Sequence, residues 1–427
     1  MKYFKQITAA ALCAITCTLA NAQQIAIVGA DIHTLSPAGT IKQGTVLIKD
    51  GKIQQVLNST NVPDGYQQID AAGKVVTPGL IGALTSLGLV EVSSSAGVTD
   101  NTVKAHPIST VGAAYDVSYA VNPDSTLMGI SRVEGFTAAA TTIGRTGQLF
   151  NGQGAIISLS GETSPVLKPR AFVHTRVDSS GASRNGDSRA ALWVAMVQVL
   201  NEAEQASNAM LALNSEWHGL STKADVQSLK RVVNGEIPML VTANRSADIR
   251  QVISLKQRFQ NLDLVIVDGL EAWRVAEELA AANIPVIVNP EYNLPGGFDQ
   301  LGATLANAGR LFEAGVTVAI GMSTHNIRLA TQHAGNAVAN GLPHIQAIAA
   351  LSLNPAKIFG VDSTHGSLEA GKQADLVIWS GDPLEVTQAA EQVFIGGKAV
   401  EMTSRQIKLK ERYMTLNSEK TLPYVRP

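Results

Sequence analysis

Eight histidines are the richest store of chemistry in this chain, and their spacing does not suit a metal. His33, His106, His174, His218, His325, His333, His344 and His365 include no His-x-His pair and no His-Glu-x-x-His, the patterns that put two imidazoles on one ion. His325 and His333 are eight residues apart, about 80° around a helix, so they do not clearly share a face. His325 follows a predicted strand, Val316–Ile320. It reads either as a catalytic base or as the solvent-touching neighbour of a helix N-cap. Glu271 is its companion candidate, either a site carboxylate or an acid favoured by the dipole of the helix it opens. Asp268, before Gly269, reads as a turn residue, and no role is assigned to His106 or His174.

The remaining polar candidates are fewer. Arg145 and Asn151 follow a predicted strand, Thr137–Ile143, in a loop that either binds an anionic or polar substrate group or simply faces solvent. Asn244 and Arg245 follow another predicted strand end, although Arg245 could equally pair with Asp248 one helical turn on. No Gly-x-Ser-x-Gly elbow is present, so the serines do not read as hydrolase nucleophiles. Pro295, in the loop Leu294-Pro295-Gly296-Gly297, removes a backbone donor that a phosphate cradle would need. That loop reads as one that shapes a mouth.

Strands and helices must position these groups. Apolar residues make up 45% of the 427 and aromatics only 5%, so Ala, Val, Leu and Ile carry the packing, as in α/β proteins with buried parallel strands. Strand-like runs alternate with helical ones: Pro238–Val241 before a helix over Ala247–Phe259, Asp263–Val267 before Glu271–Ala281, Ile284–Val288 before Leu301–Ala314, and Val316–Ile320 before Asn326–Ala339. Serial units of this kind, with no Gly-x-Gly-x-x-Gly after any strand, predict an α/β fold built as a (β/α)8 barrel. Ala190–Leu213 predicts a long inserted helix. Short strands at 25–28, 45–48 and 52–56, with Lys49-Asp50-Gly51 as a hairpin turn, match the style of 375–379 and 392–395. A small β-sandwich built from both chain ends follows from that likeness. The expected division is 1–22 signal, 23–74 sandwich, 75–360 barrel, 361–403 sandwich and 404–427 a polar, basic tail.

Lys2 and Lys5, the apolar stretch Ile7–Leu19 and the small residues Ala20-Asn21-Ala22 form an export signal too short to anchor in a bilayer. Its removal would shift the formal charge from -2 to -4, which argues against nucleic acid as a partner. Cys13 and Cys17 both lie inside it, so the exported chain would have no disulfide, thiol nucleophile or Cys-zinc site. A bacterial periplasm is the expected compartment.

Several longer runs carry a family likeness. Val76-Thr77-Pro78-Gly79-Leu80-Ile81, Leu353-Asn354-Pro355-Ala356-Lys357-Ile358-Phe359-Gly360 and the stretch from Gly366 to Ile378 resemble the amidohydrolase superfamily, most nearly its imidazolonepropionase-like branch. Gly135-Phe136-Thr137 and Asn151-Gly152-Gln153-Gly154 resemble the same branch. The resemblance implies a split β-sandwich on a metal-bearing barrel and hydrolysis of non-peptide C–N bonds. It also implies ligand positions, and these are altered. The two His after strand 1 match Leu84 and Ser86, the His after strand 5 falls at Thr242 or Asn244, and the catalytic Asp after strand 8 falls near Ser323. Leu84 has no lone pair, and neutral Ser and Thr bind zinc weakly. The expectation is a degenerate site holding no metal; zinc would return only if this register were wrong.

Three readings follow. The first is an amidohydrolase of weak or no metal-dependent activity. The second is a non-catalytic protein, or pseudoenzyme, that holds a small ligand in the barrel mouth or partners an active relative or a second copy. The third is metal-free catalysis through Glu271 and His325.

Overall fold

The computed structural model describes residues 24–91 and 100–414. The segment read as an export signal, with both cysteines, lies outside the described residues, as does the end of the tail. Five strands come first: β1 Gln24–His33, β2 Thr40–Lys49, β3 Lys52–Leu57, β4 Gln67–Asp70 and β5 Val75–Pro78. Then follow β6 Leu80–Thr85, the two-residue β7 Thr102–Val103, β8 Phe136–Thr141, the two-residue β9 Arg145–Thr146 and β10 Phe150–Ser158. Next are β11 Val166–Arg176, β12 Met239–Ala243, β13 Leu264–Asp268, β14 Val286–Val288 and β15 Val318–Ile320. β16 Leu376–Trp379, β17 Ala390–Ile395 and β18 Lys398–Ala399 complete the set.

Eight of these strands form a barrel in the order β6-β8-β10-β11-β12-β13-β14-β15. The ring is nearly closed where Thr85 bridges Thr324 and the Ser86 amide reaches the Thr324 carbonyl at 3.4 Å. One strand departs from the expected (β/α)8 pattern, because β10 runs antiparallel to both β8 and β11. The cause is connection length. Parallel neighbours need a crossover of a dozen or more residues. Only residues 142–149 and 159–165 flank β10, so the chain can only double back. Asn151 therefore lies inside a strand and not in the loop expected for it.

Helices pack outside the other strands. Ser246–Arg258 follows β12, a 3-10 turn and Ala276–Ala281 follow β13, Asn307–Glu313 follows β14, and Ala330–Ala339 follows β15. The long inserted helix is Arg189–Gln205, shorter than its sequence suggests. Beside β10, a helix is replaced by the loop around residues 109–116. Gln153 donates its amide to the Tyr115 carbonyl, and the buried carboxylate of Asp225 gathers the amides of Thr110 and Ala114 at 3.0 Å and the Ser109 hydroxyl.

The two ends of the chain meet in a second eight-stranded sheet, ordered β3-β2-β1-β5-β16-β17-β18 with β4 beside β1. By hydrogen bonding this is one mixed sheet, where a sandwich of facing sheets was expected. Asp50 and Gly51, both at positive φ, make the tight turn between β2 and β3, as their sequence demands. Val75–Pro78 pairs with β16 and β1 and so belongs to this sheet; the barrel begins after it, not at residue 75. The crossing depends on Gly79, where any Cβ would sit 2.2 Å from Thr137 Oγ. Trp379 seals the junction, with its indole N–H donating to Thr77 Oγ at 2.9 Å. Arg405–Met414, in the expected polar tail, forms a helix.

Candidate functional site

In such barrels the site lies where parallel strands end, so the mouth is bounded by the C-terminal ends of β6, β8, β11, β12, β13, β14 and β15. β11 contributes most. Strand residues alternate between faces, and in Phe172-Val173-His174-Thr175-Arg176 the even positions face the interior. Phe172 packs in the inner core with Ala140, Ile156 and Leu240, while Val173 packs in the outer core against the helices.

His174 is buried, with Nε2 2.9 Å from Thr242 Oγ on β12. Burial first, and then the charge of Arg176, push its pKa down to about 3, so the ring is neutral near pH 7. Its Nδ1 is buried without a partner among the described residues. Arg176 donates from Nη2 to Asp178 Oδ2 at 2.6 Å, and its buried Nε has no partner among the described residues. Asp178 also caps the short helix Ser179–Ser183 through the Gly181 amide at 2.9 Å.

Asp268, the last residue of β13, completes this group. Burial raises its pKa, while the nearby Arg176 charge opposes the rise and Asp178 adds to it. Its φ of +67° is unusual for a residue with a Cβ. Tyr292, in the loop after β14, has its hydroxyl pKa raised by burial and then by the Asp268 charge. Arg184, which caps the C-terminal end of the 179–183 helix, has its pKa lowered by burial and by the charges of Arg176 and Arg145, Asp178 opposing.

The candidates singled out from sequence meet different fates. Leu84, 1% exposed, fills the inner core. Ser86 and Ser323 fall at the adjacent ends of β6 and β15, Ser86 buried and Ser323 exposed, while Thr242 is taken by His174. Glu271 is not free for catalysis. Its Oε1 accepts from the Gly302 amide at 2.8 Å and its Oε2 from the Ser246 amide at 3.1 Å, so it ties three mouth loops together. His325 is partly exposed, and no hydrogen bond joins it to Glu271. Asn244 is buried, accepting from the Glu271 and Leu270 amides, and Asn151 is buried, donating to the Ile143 and Gly144 carbonyls. Both staple loops and neither is open to a substrate. Arg245 pairs with Asp248 at 2.8 Å, the bland alternative for it, and Arg145 is exposed.

The group His174, Arg176, Asp178, Asp268 and Tyr292 escaped the sequence reading. Its signal was present as His-x-Arg-x-Asp at 174–178, polar groups at every second residue across the end of a strand.

Comparison with known proteins agrees with the architecture. The model of the Amidohydrolase family matches residues 170–400, more than half of the 427, and the chain belongs to that family. Its imidazolonepropionase-like character is supported by similarity to the imidazolonepropionase of Staphylococcus aureus (strain JH9), 47% identical over 53 residues, which are 12% of this chain and 13% of that protein. The Amidohydrolase tasK of Hapsidospora irregularis is 42% identical over 59 residues, 14% of this chain and 6% of that one. The chain thus spans only a small part of these curated relatives. Among solved structures, an amidohydrolase from Thermotoga maritima MSB8 is 25% identical with a TM-score of 0.77, covering 88% of this chain and 99% of that one. Molinate hydrolase shares the fold at 18% identity and a TM-score of 0.53, covering 89% and 95%.

Members of this family are usually metal-dependent, so the donors here must be tested against an ion. A catalytic zinc needs about three anionic or imidazole ligands and an open position. Among the described residues, no three His, Cys, Asp or Glu are grouped to supply them. The imidazole at the mouth is held at Nε2 by Thr242, and the nearby Asp268 lies within the field of a guanidinium. A fixed cation among the acids disfavours a second one. Among the described residues, the donors at the mouth do not fit that ligand set.

Proposed function

We propose that this amidohydrolase-family barrel binds a small polar molecule at its mouth without a catalytic metal ion, and that any hydrolysis of C–N bonds it retains is metal-independent. The observation that carries this reading is Arg176, a guanidinium set among Asp178 and Asp268 where an ion would need those carboxylates for itself. Leu84 on β6 supports it, since a buried aliphatic side chain cannot ligate. The sequence signal at 1–22 supports export to a periplasm, and a second copy or an active relative is the protein partner this reading admits.

The test is direct. Purified full-length protein is analysed for zinc, manganese and iron, and assayed on dipeptides, lactams and hydantoins before and after chelation. The expected result is well under one metal per chain and no chelator-sensitive turnover. One tightly held equivalent with chelator-sensitive hydrolysis would overturn the reading.

A further inference from the structure

Resting on that reading of the mouth, we propose that the molecule bound there carries a carboxylate or phosphate group, held by Arg145, Arg176 and Arg184. Three separate pieces of chain bring these guanidiniums to one rim. Arg145 lies in β9, in the connection from β8 to β10, where its amide and that of Gly144 donate to the Asn101 carbonyl and Asn151 fixes the two residues before it. Arg176 ends β11. Arg184 follows eight residues later, beyond the short helix, with Nη2 donating to Ser180 Oγ at 3.1 Å. β8 runs parallel to β6 and β11 parallel to β12, so the chain leaves both strands at the mouth end of the barrel, and the charges of Arg176 and Arg145 both act on Arg184.

Two of the three guanidiniums have no ion pair among the described residues; only Arg176 has one, with Asp178. Gathering like charges costs free energy unless an anion enters, and guanidiniums grip planar carboxylates and phosphates through paired N–H donors. Two further buried nitrogens at the end of β11 have no partner among the described residues, the Arg176 Nε and the Nδ1 of His174, a side chain more than nine-tenths buried. An imidazole Nδ1 either donates or accepts according to its tautomer, so it suits a ligand that brings a hydroxyl or amide beside the anionic group. Asp178 and Asp268 set the limit, because they repel an anion that goes deeper than the arginine rim.

The probes are glutarate and inorganic phosphate, with glutaramide as the uncharged counterpart of glutarate, titrated into the full-length protein by calorimetry and thermal shift. At least one anion is expected to bind and raise Tm, while glutaramide does neither. Arg145→Gln and Arg184→Gln, each on the protein's surface side of the site, are each expected to weaken anion binding by about tenfold or more, as charged hydrogen bonds warrant. Arg184→Lys should recover only part, since it restores charge without the fork. Circular dichroism and Tm without ligand, unchanged in these variants, separate lost binding from lost fold. No binding of either anion, or equal binding of glutaramide, or Arg→Gln variants that bind as well as the parent would overturn the proposal. Failure of the metal-free reading looks different: a full metal equivalent with arginine-dependent anion binding would sink that reading and leave this one standing.

Discussion

His174 shows how much a single buried side chain can couple this barrel to pH. Its folded pKa of about 3 lies below the ordinary 6.5, so between those values the unfolded chain binds a proton that the folded chain refuses. Stability should therefore be full above about pH 6.5 and fall as the pH drops toward 3. Replacing His174 with Gln should flatten the slope of Tm against pH in that window, and an unchanged slope would mean that other groups set it. Asp268 acts oppositely, its raised pKa costing stability as the pH rises through it. Glu271 offers a second test at this scale. Glu271→Ala leaves two backbone donors without their acceptor, and about 1–3 kcal/mol is expected for each that stays buried. Urea unfolding measures the loss, and hydrogen exchange at Ser246 and Gly302 reports where it falls. Residue roles were only partly legible in the sequence. A polar residue at a strand end serves a ligand or a loop backbone equally well, and nothing local separates the two. Asn151, Asn244, Glu271 and Arg245 all turned out to serve the protein itself. His174 was passed over because its strand had not been recognised.

Elements were more legible where sequence periodicity was strong. β12 to β15 and their helices fall within a few residues of the runs that announced them, because apolar strands and amphipathic helices repeat at different periods. β10 was missed for a reason its own residues do not contain. Strand direction is set by what lies between strands, and only the short flanks of β10 dictate its reversal. The reversed strand is also tightly built. Gly154 faces the ring of Phe172 so closely that a Cβ there would sit 2.0 Å from the ring edge. Gly154→Ala should overpack the barrel and cost about 1–3 kcal/mol. Phe172→Leu in the same chain should return part of that loss, read as a non-additive pair in denaturant titrations. Strict additivity would mean that the strain lies elsewhere.

For the whole molecule, the sheet of both ends and the barrel do not have separate interiors. Val377, Trp379, Val393 and Ile395 of the sheet belong to the same core as Leu80, Phe136 and the helices around the barrel. One calorimetric transition is expected on heating, and two well-separated transitions would show that the junction carries little of the stability. That both ends would supply strands could be read from their matching style. That they would share a single ladder could not, since pairing across three hundred residues leaves no local trace.

That ladder has a consequence for how the chain is made. β5 finds its neighbour β1 early, but its other edge is covered only by β16, which leaves the ribosome some three hundred residues later. Until then Val75–Pro78 offers bare amides and carbonyls to any passing strand, the hazard of every uncovered sheet edge. A nascent or truncated chain ending before Leu376 is thus a chain seeking a strand, and a free peptide spanning β16 to β18 is the piece shaped to supply it.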